Sequence, residues 1–244
     1  MTSPLLEVEG LTKRYGGVVA VDRCSFAVPE GSITALVGPN GSGKTTAFNV
    51  ITGYAGLDAG RIRFAGSLVR RPDPTRLARR GLARTFQQAR IFSDLTLIEN
   101  MAAGVQQPWH AWSRRSVRTN DRTKALTLLE EFGLLGLAEE RAGALSFGQK
   151  KLLEFAMVLM GEPRLVLLDE PTAGVNPVLV EQIDQRVRDL NASGLTFLVV
   201  EHNMNLVMRL CDPVVVLDHG TKLAEGPPAI VREDPRVLDA YLGG

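Results

Sequence analysis

Gly38-Pro39-Asn40-Gly41-Ser42-Gly43-Lys44-Thr45 fits the pattern G-x-x-x-x-G-K-[ST], a spacing suited to holding phosphate. Its glycines let the backbone curl until successive N–H groups point into one concavity. A helix starting near Gly43 would aim its positive end at the same place. Lys44 is then placed for the β- and γ-phosphates of a nucleotide such as ATP, and the Thr45 hydroxyl for Mg²⁺. Thr46 follows as a further nucleotide contact in the first turn. A glycine-rich turn with a chance lysine is the plain alternative, but it seldom has a strand before it and a helix after it. The pattern alone leaves kinases, GTPases and many ATPases open.

Two adjacent acids narrow the chemistry. Leu165-Val166-Leu167-Leu168 is an apolar run that ends in Asp169-Glu170. A strand buried on both faces carries no acids along its length, but its C-terminal end is where ligands sit in open α/β sheets. Asp169 is placed to hold Mg²⁺ through water, and Glu170, one residue further out, to orient or deprotonate an attacking water. His202 follows a second apolar run, Thr196 to Val200, and then Glu201. A lone histidine at a strand end is more often structural. Here a parallel neighbouring strand would bring it beside the γ-phosphate.

The elements that must position these groups are readable from periodicity. Leu5, Val8 and Val18 to Phe26 read as short strands, broken by Gly16-Gly17 and Pro29-Glu30-Gly31. Ile33 to Val37 suits a strand buried on both faces, and a helix should run from near Gly43 to about Thr52. Arg61 to Phe64 is a weaker strand candidate. Thr96 with Glu99 forms a capping-box pattern. Gln106 to Asn120 reads as a loop, and helices follow from about Asp121 to Gly133 and from Ser146 to Met160. The chain then alternates: strand Leu165–Leu168, helical stripe Leu179 to Leu190, strand Leu195–Val200, short helix Asn203–Leu210, and a final strand Val214–Leu217. The arginines between Arg70 and Arg90 read as a solvated face.

Bulk properties exclude several classes. The 244 residues are 45% hydrophobic and 23% charged with net charge +1, so nothing global points to nucleic acid or an anionic surface. Two cysteines without paired spacing exclude a disulfide framework and a cysteine zinc site. No signal-peptide pattern is seen, and no apolar run approaches the ~18 residues of a spanning helix, so the chain is not expected to cross a membrane by itself.

Leu145-Ser146-Phe147-Gly148-Gln149 opens a strong amphipathic helix, fewer than thirty residues before Asp169. With it the chain resembles the ABC ATPases, whose signature reads LSGGQ at this location. Ser146 and Gln149 also form an ordinary S-x-x-Q capping box, and cap and anion site are compatible. The resemblance implies that Ser146, Gly148 and Gln149 meet the γ-phosphate held by the phosphate loop of an opposite subunit. It also makes Tyr15 the aromatic that stacks on adenine and Gln87 the glutamine that touches Mg²⁺ and senses a membrane subunit. Gln88 is adjacent to it. Ala173-Gly174-Val175-Asn176 stands at the D-loop. The catalytic set so implied is Glu170, His202 and Lys44; the metal set is Thr45, Gln87 and Asp169. Two departures stand out: Phe147 replaces the first signature glycine, and Asn176 the D-loop aspartate.

The fold implied is α/β: a RecA-like P-loop NTPase core with an antiparallel β edge and an inserted α-helical subdomain over about 95–160, all within a single domain spanning 1–244. Arg84-Thr85-Phe86-Gln87, Leu95 to Asn100, Val199 to Met204 and the tail Ala240 to Gly244 are similar to the ATP-binding subunits of branched-chain amino acid importers. Those work with integral-membrane permeases, a second ATPase subunit, identical or different, and a solute-binding protein, on the cytoplasmic face of the membrane. Urea importers and the lipopolysaccharide-export ATPase share much of this wording. Non-transport ABC ATPases, acting on ribosomes or DNA, usually carry two cassettes or long coiled coils, and neither is present here. A regulatory module without turnover would not need Glu170 and His202.

Overall fold

The computed structural model describes residues 4–105 and 119–242. In chain order these form β1 (Pro4–Tyr15), β2 (Val18–Pro29), β3 (Ile33–Val37), α1 (Lys44–Ile51), β4 (Ala59–Phe64), β5 (Ser67–Leu68), α2 (Pro74–Arg79) and β6 (Leu82–Arg84). There follow α3 (Leu97–Gly104), α4 (Thr119–Glu131), α5 (Phe147–Leu159), β7 (Leu165–Asp169), α6 (Pro177–Ala192) and β8 (Thr196–Val200). The chain continues through α7 (Met204–Leu210), β9 (Val214–Asp218), β10 (Thr221–Gly226), α8 (Pro228–Glu233) and α9 (Pro235–Leu242).

The strands β3, β7, β8 and β9 are near-continuous runs of Val, Ile, Leu and Ala because both of their faces are covered. Successive residues serve opposite cores. Ala35, Val37, Val166, Leu168, Phe197 and Val199 pack with the helical segments. Leu36, Leu165, Leu167, Leu198 and Val200 pack with α1 and with β1, β2 and β4. This period of two places one sheet between two layers. Its order is β10-β9-β3-β8-β7-β6, parallel except for β10, and β2-β1-β4-β5 form a separate antiparallel sheet.

Between β6 and β7 the described regular elements are all helical. The Thr96 cap is complete: its side chain accepts from Glu99 N–H, and the Glu99 carboxylate accepts from the Thr96 backbone. Most of the expected loop over Gln106 to Asn120 lies outside the described residues, and α4 begins two residues before Asp121. Phe155 of α5 meets Phe197 of β8 edge-on, with ring centres 6.4 Å apart, so the helical insertion shares its core with the sheet.

Three expectations need correcting. Val214–Asp218 is not the last strand, since β10 pairs with it and α8 and α9 follow. The arginine-rich segment is not simply a solvated face, because α2 and β6 fall within it and β6 is the edge of the parallel sheet. The first two strands are longer than expected, twelve residues each, with β1 passing Gly10 at a register shift; the expected breaks at Gly16-Gly17 and after Pro29 are where they end. Cys24 and Cys211 are both free and buried, and burial pushes their thiols up to about 11 and about 12.

Candidate functional site

Because β3, β8, β7 and β6 run parallel, their C-terminal ends share one edge. Those ends deliver the phosphate loop, His202, Asp169-Glu170 and Gln87. The sheet order places β8 between β3 and β7, which is why a histidine just past β8 reaches the acid just past β7.

The loop Gly38 to Gly43 needs its glycines. Gly38, Gly41 and Gly43 adopt φ values of 149°, 80° and 100°. A Cβ on Gly38 would lie 2.0 Å from the Leu217 carbonyl oxygen, and one on Gly43 would lie 2.5 Å from that of Ala20. The loop is thus clamped between the ends of β9 and β2, with Ser42 O accepting from Gly220 N–H. Lys44 is buried and donates to the carbonyls of Gly38 and Pro39, both at 2.8 Å. Burial holds its ammonium pKa below the ordinary value, opposed by the nearby Glu170 carboxylate. No acid occupies the first turn of α1, so its N-terminal amides remain available to an anion. Thr45 is exposed at that turn and Thr46 half-buried.

Glu170 is the point of convergence. Its φ is 50°, a left-handed conformation that costs a non-glycine residue about 1 kcal/mol or more. Gln87 Nε2 donates to Glu170 Oε2 at 2.8 Å, and His202 Nε2 lies 2.7 Å from Oε1. Gln87, rather than Gln88, is therefore the glutamine turned toward the acids. The Asp169 carboxylate is 2.7 Å from the guanidinium of Arg84, and its N–H faces the Thr85 hydroxyl at 3.4 Å. Hard oxygen donors on Thr45 and Asp169, beside a phosphate cradle, suit Mg²⁺, which takes one or two carboxylates and shares substrate phosphate.

The signature segment lies on a different surface. Ser146 caps α5: its Oγ accepts from Gln149 N–H at 3.3 Å, while Gln149 Oε1 accepts from Ser146 N–H at 2.9 Å. Ser146, Gly148, Gln149, Gly174 and Asn176 line one groove, which Lys44 and Glu170 do not. A Cβ on Gly148 would meet Leu179 Cδ2 at 2.3 Å, so this glycine lets the Leu179 side chain of α6 pack against the start of α5. Phe147 sits in the first helical turn with its ring against Gly174, where a glycine Cβ would approach Cε1 to 3.2 Å. Asn176 caps α6, its Oδ1 accepting from Leu179 N–H at 2.9 Å. Tyr15 is half-exposed at the β1–β2 turn, with Lys13 Nζ 5.2 Å from its ring centre.

Sequence reasoning missed four polar groups around these residues. Arg84 and Lys151 are buried partners of Asp169 and Glu170. Glu154 accepts from the backbone N–H groups of Phe86 and Arg90. Glu201 accepts from the Thr172 N–H and hydroxyl at 2.9 and 2.6 Å and from His202 N–H at 3.0 Å, fixing the turn that carries the histidine. An acid directly after the apolar run Phe197–Val200 was a signal for Glu201. No pattern distinguished the other three.

A parallel sheet with a glycine cradle, a helix start and paired acids on one edge defines a P-loop nucleoside triphosphatase, and the helical insertion with its capped signature marks the ATP-binding cassette type. The chain belongs to the ABC transporter family, whose model matches residues 21–173. A model described as branched-chain amino acid ATP-binding cassette transporter matches residues 221–244. The chain is 37% identical to the high-affinity branched-chain amino acid transport ATP-binding protein BraF of Pseudomonas aeruginosa, covering 100% of this chain and 99% of the relative. It is likewise 37% identical to LivG of Escherichia coli K12, with the same coverage. Among solved structures, an ATP-binding cassette of an ABC transporter in its ADP conformation superposes with a TM-score of 0.89 at 35% identity, covering 100% of both chains. A nucleotide-free cassette gives 0.88 at 34% identity, covering 99% of this chain and 100% of the other. The protein is accordingly an ATP-binding, ATP-hydrolysing cassette of a transport system. Among the described residues no helix is long and apolar enough to cross a membrane.

Proposed function

We propose that this cassette drives import of branched-chain or related amino acids through separate permease subunits, bound peripherally at the cytoplasmic face of the membrane. The observation that carries the hydrolytic half is the convergence of Gln87 and His202 on Glu170 beside Asp169. The full-length likeness to branched-chain amino acid transport ATP-binding proteins supports the substrate class.

In this reading the Gly38–Gly43 amides, Lys44, Thr45 and Thr46 bind the triphosphate, and Tyr15 stacks on adenine. Thr45, Asp169 and Gln87 would hold Mg²⁺, which would supply neutralisation of phosphate charge. Glu170 accepts a proton from the attacking water and aligns it, and His202 and Gln87 hold the Glu170 carboxylate in place. Lys44, and Ser146, Gly148 and Gln149 of a second subunit, stabilise charge on the γ-phosphoryl oxygens. The groove around Gln87 and the helical insertion receives a permease helix, and a solute-binding protein delivers the cargo to the permease.

Vesicles holding the permeases and this chain, supplied with the binding protein and labelled leucine, test the assignment. ATP-driven uptake that Glu170→Gln abolishes is the expected result. ATP hydrolysis without uptake of any branched-chain amino acid would overturn the substrate class.

A further inference from the structure

Helix α5 carries Phe147, Lys151 and Glu154 at positions i, i+4 and i+7, one continuous face. Beyond the exposed Phe147 that face is turned inward, since Lys151 is 6% and Glu154 5% exposed. Buried charges persist where they are paired, and both are. Lys151 Nζ donates to the backbone carbonyl of Glu170 at 2.7 Å. The carboxylates of Glu201, Glu154, Glu170 and Asp169 surround it and oppose the effect of its burial. Its ammonium also lies 5.4 Å from the Phe147 ring centre, within cation–π range.

Glu154, one turn further along, accepts from Phe86 N–H at 3.3 Å and from Arg90 N–H at 2.9 Å, the two sides of the Gln87 segment. One face of α5 therefore grips both the Gln87 loop and the exit of β7. Glu170 itself is held at every polar group. Its N–H donates to Val200 O at 2.9 Å, its carboxylate meets Gln87 and His202, and its carbonyl accepts from Lys151 Nζ at 2.7 Å and from Ala173 N–H at 3.2 Å. The Lys151 bond is the one of these that comes from the helical insertion. It also closes on a residue whose left-handed backbone would relax if released.

We infer that Lys151 is a positioning residue for hydrolysis: through the Glu170 carbonyl it locks the strained backbone that aims the Glu170 carboxylate, so turnover depends on how α5 is docked. The inference rests on Glu170 acting on the attacking water. The signature cap Ser146 begins the same helix, so a partner engaging that end and a protein engaging the Gln87 loop would both act on Glu170 through α5.

The full chain with Lys151→Met, Lys151→Arg, Glu170→Gln and the Lys151→Met/Glu170→Gln pair is compared by MgATP binding and single-turnover hydrolysis. Lys151→Met should lower the hydrolysis rate by about a hundredfold, the scale of a misplaced reacting group, with the ATP Kd unchanged within about twofold. Lys151→Arg, which can donate to the same carbonyl, should recover most of the rate. In the Glu170→Gln background Lys151→Met should cost nothing further, because both act through one group. Should Lys151→Met fail to fold, Lys151→Gln, too short to reach the carbonyl, carries the same comparison. A wild-type rate in Lys151→Met beside an inactive Glu170→Gln overturns the role of Lys151 alone. A loss that persists undiminished in the pair overturns it too. Wild-type turnover in Glu170→Gln overturns the role of Glu170, and this inference with it.

Discussion

Arg84 and Asp169 form a 2.7 Å ion pair in which each side chain is 6% exposed. The guanidinium also donates to Asn49 Oδ1 and Thr52 Oγ1 at 2.8 and 3.0 Å, and lies 5.0 Å from the Phe86 ring centre. Removing one partner of a buried pair leaves a stranded charge, so Arg84→Met should destabilise the fold by about 3 kcal/mol, read by urea unfolding. A change under about 0.5 kcal/mol, the surface-substitution range, would contradict the burial argument. Lys44→Ala acts differently. It removes the ammonium that sits within the glycine loop, so tight ATP binding should be lost in an equilibrium assay while the fold survives; near-normal affinity would refute the cradle. The contrast shows what sequence can reveal about single residues. Lys44 was legible because glycines at fixed offsets accompany it. Arg84 stands among Arg70, Arg71, Arg76, Arg79, Arg80 and Arg90 with nothing to mark its depth, because depth is set by β6 joining the sheet.

At the scale of the element, α5 carries a pH dependence. Burial raises the Glu154 carboxyl from 4.5 to about 7, against the pull of the Arg90 and Phe86 N–H groups and the charges of Lys151 and Arg90. The folded chain therefore keeps this proton to higher pH than the unfolded chain does. Its stabilising contribution is full below pH 4.5 and fades as pH rises to about 7. Melting temperatures between about pH 5 and about pH 8 should fall more steeply for the wild type than for Glu154→Gln, which cannot ionise. Parallel slopes would remove Glu154 as the source. The buried strands β3, β7 and β8 were readable because burial on both faces forces continuous apolar runs. By contrast β6 has three residues and β10 shows only exposed or half-buried positions, so neither leaves an apolar pattern. The helices α8 and α9 each open on a proline at the first position, which reads as a turn until a helix follows it.

For the whole molecule, the two groups of functional residues face different places. Lys44, Gln87, Asp169, Glu170 and His202 gather at one sheet edge, whereas Ser146, Gly148 and Gln149 open onto a separate groove with Gly174 and Asn176. In the proposed reading one chain presents two halves of a phosphate site without closing them on each other. Closure between two copies would complete both sites, with Phe147 folded against Gly174 and Asn176 occupied as a helix cap. The measurement that tests this most directly is light scattering of Glu170→Gln after size-exclusion chromatography, with and without MgATP. The account predicts a monomer that becomes a dimer only with MgATP, held because the trapped nucleotide is not cleaved. A Glu170→Gln chain that binds MgATP yet stays monomeric would contradict it.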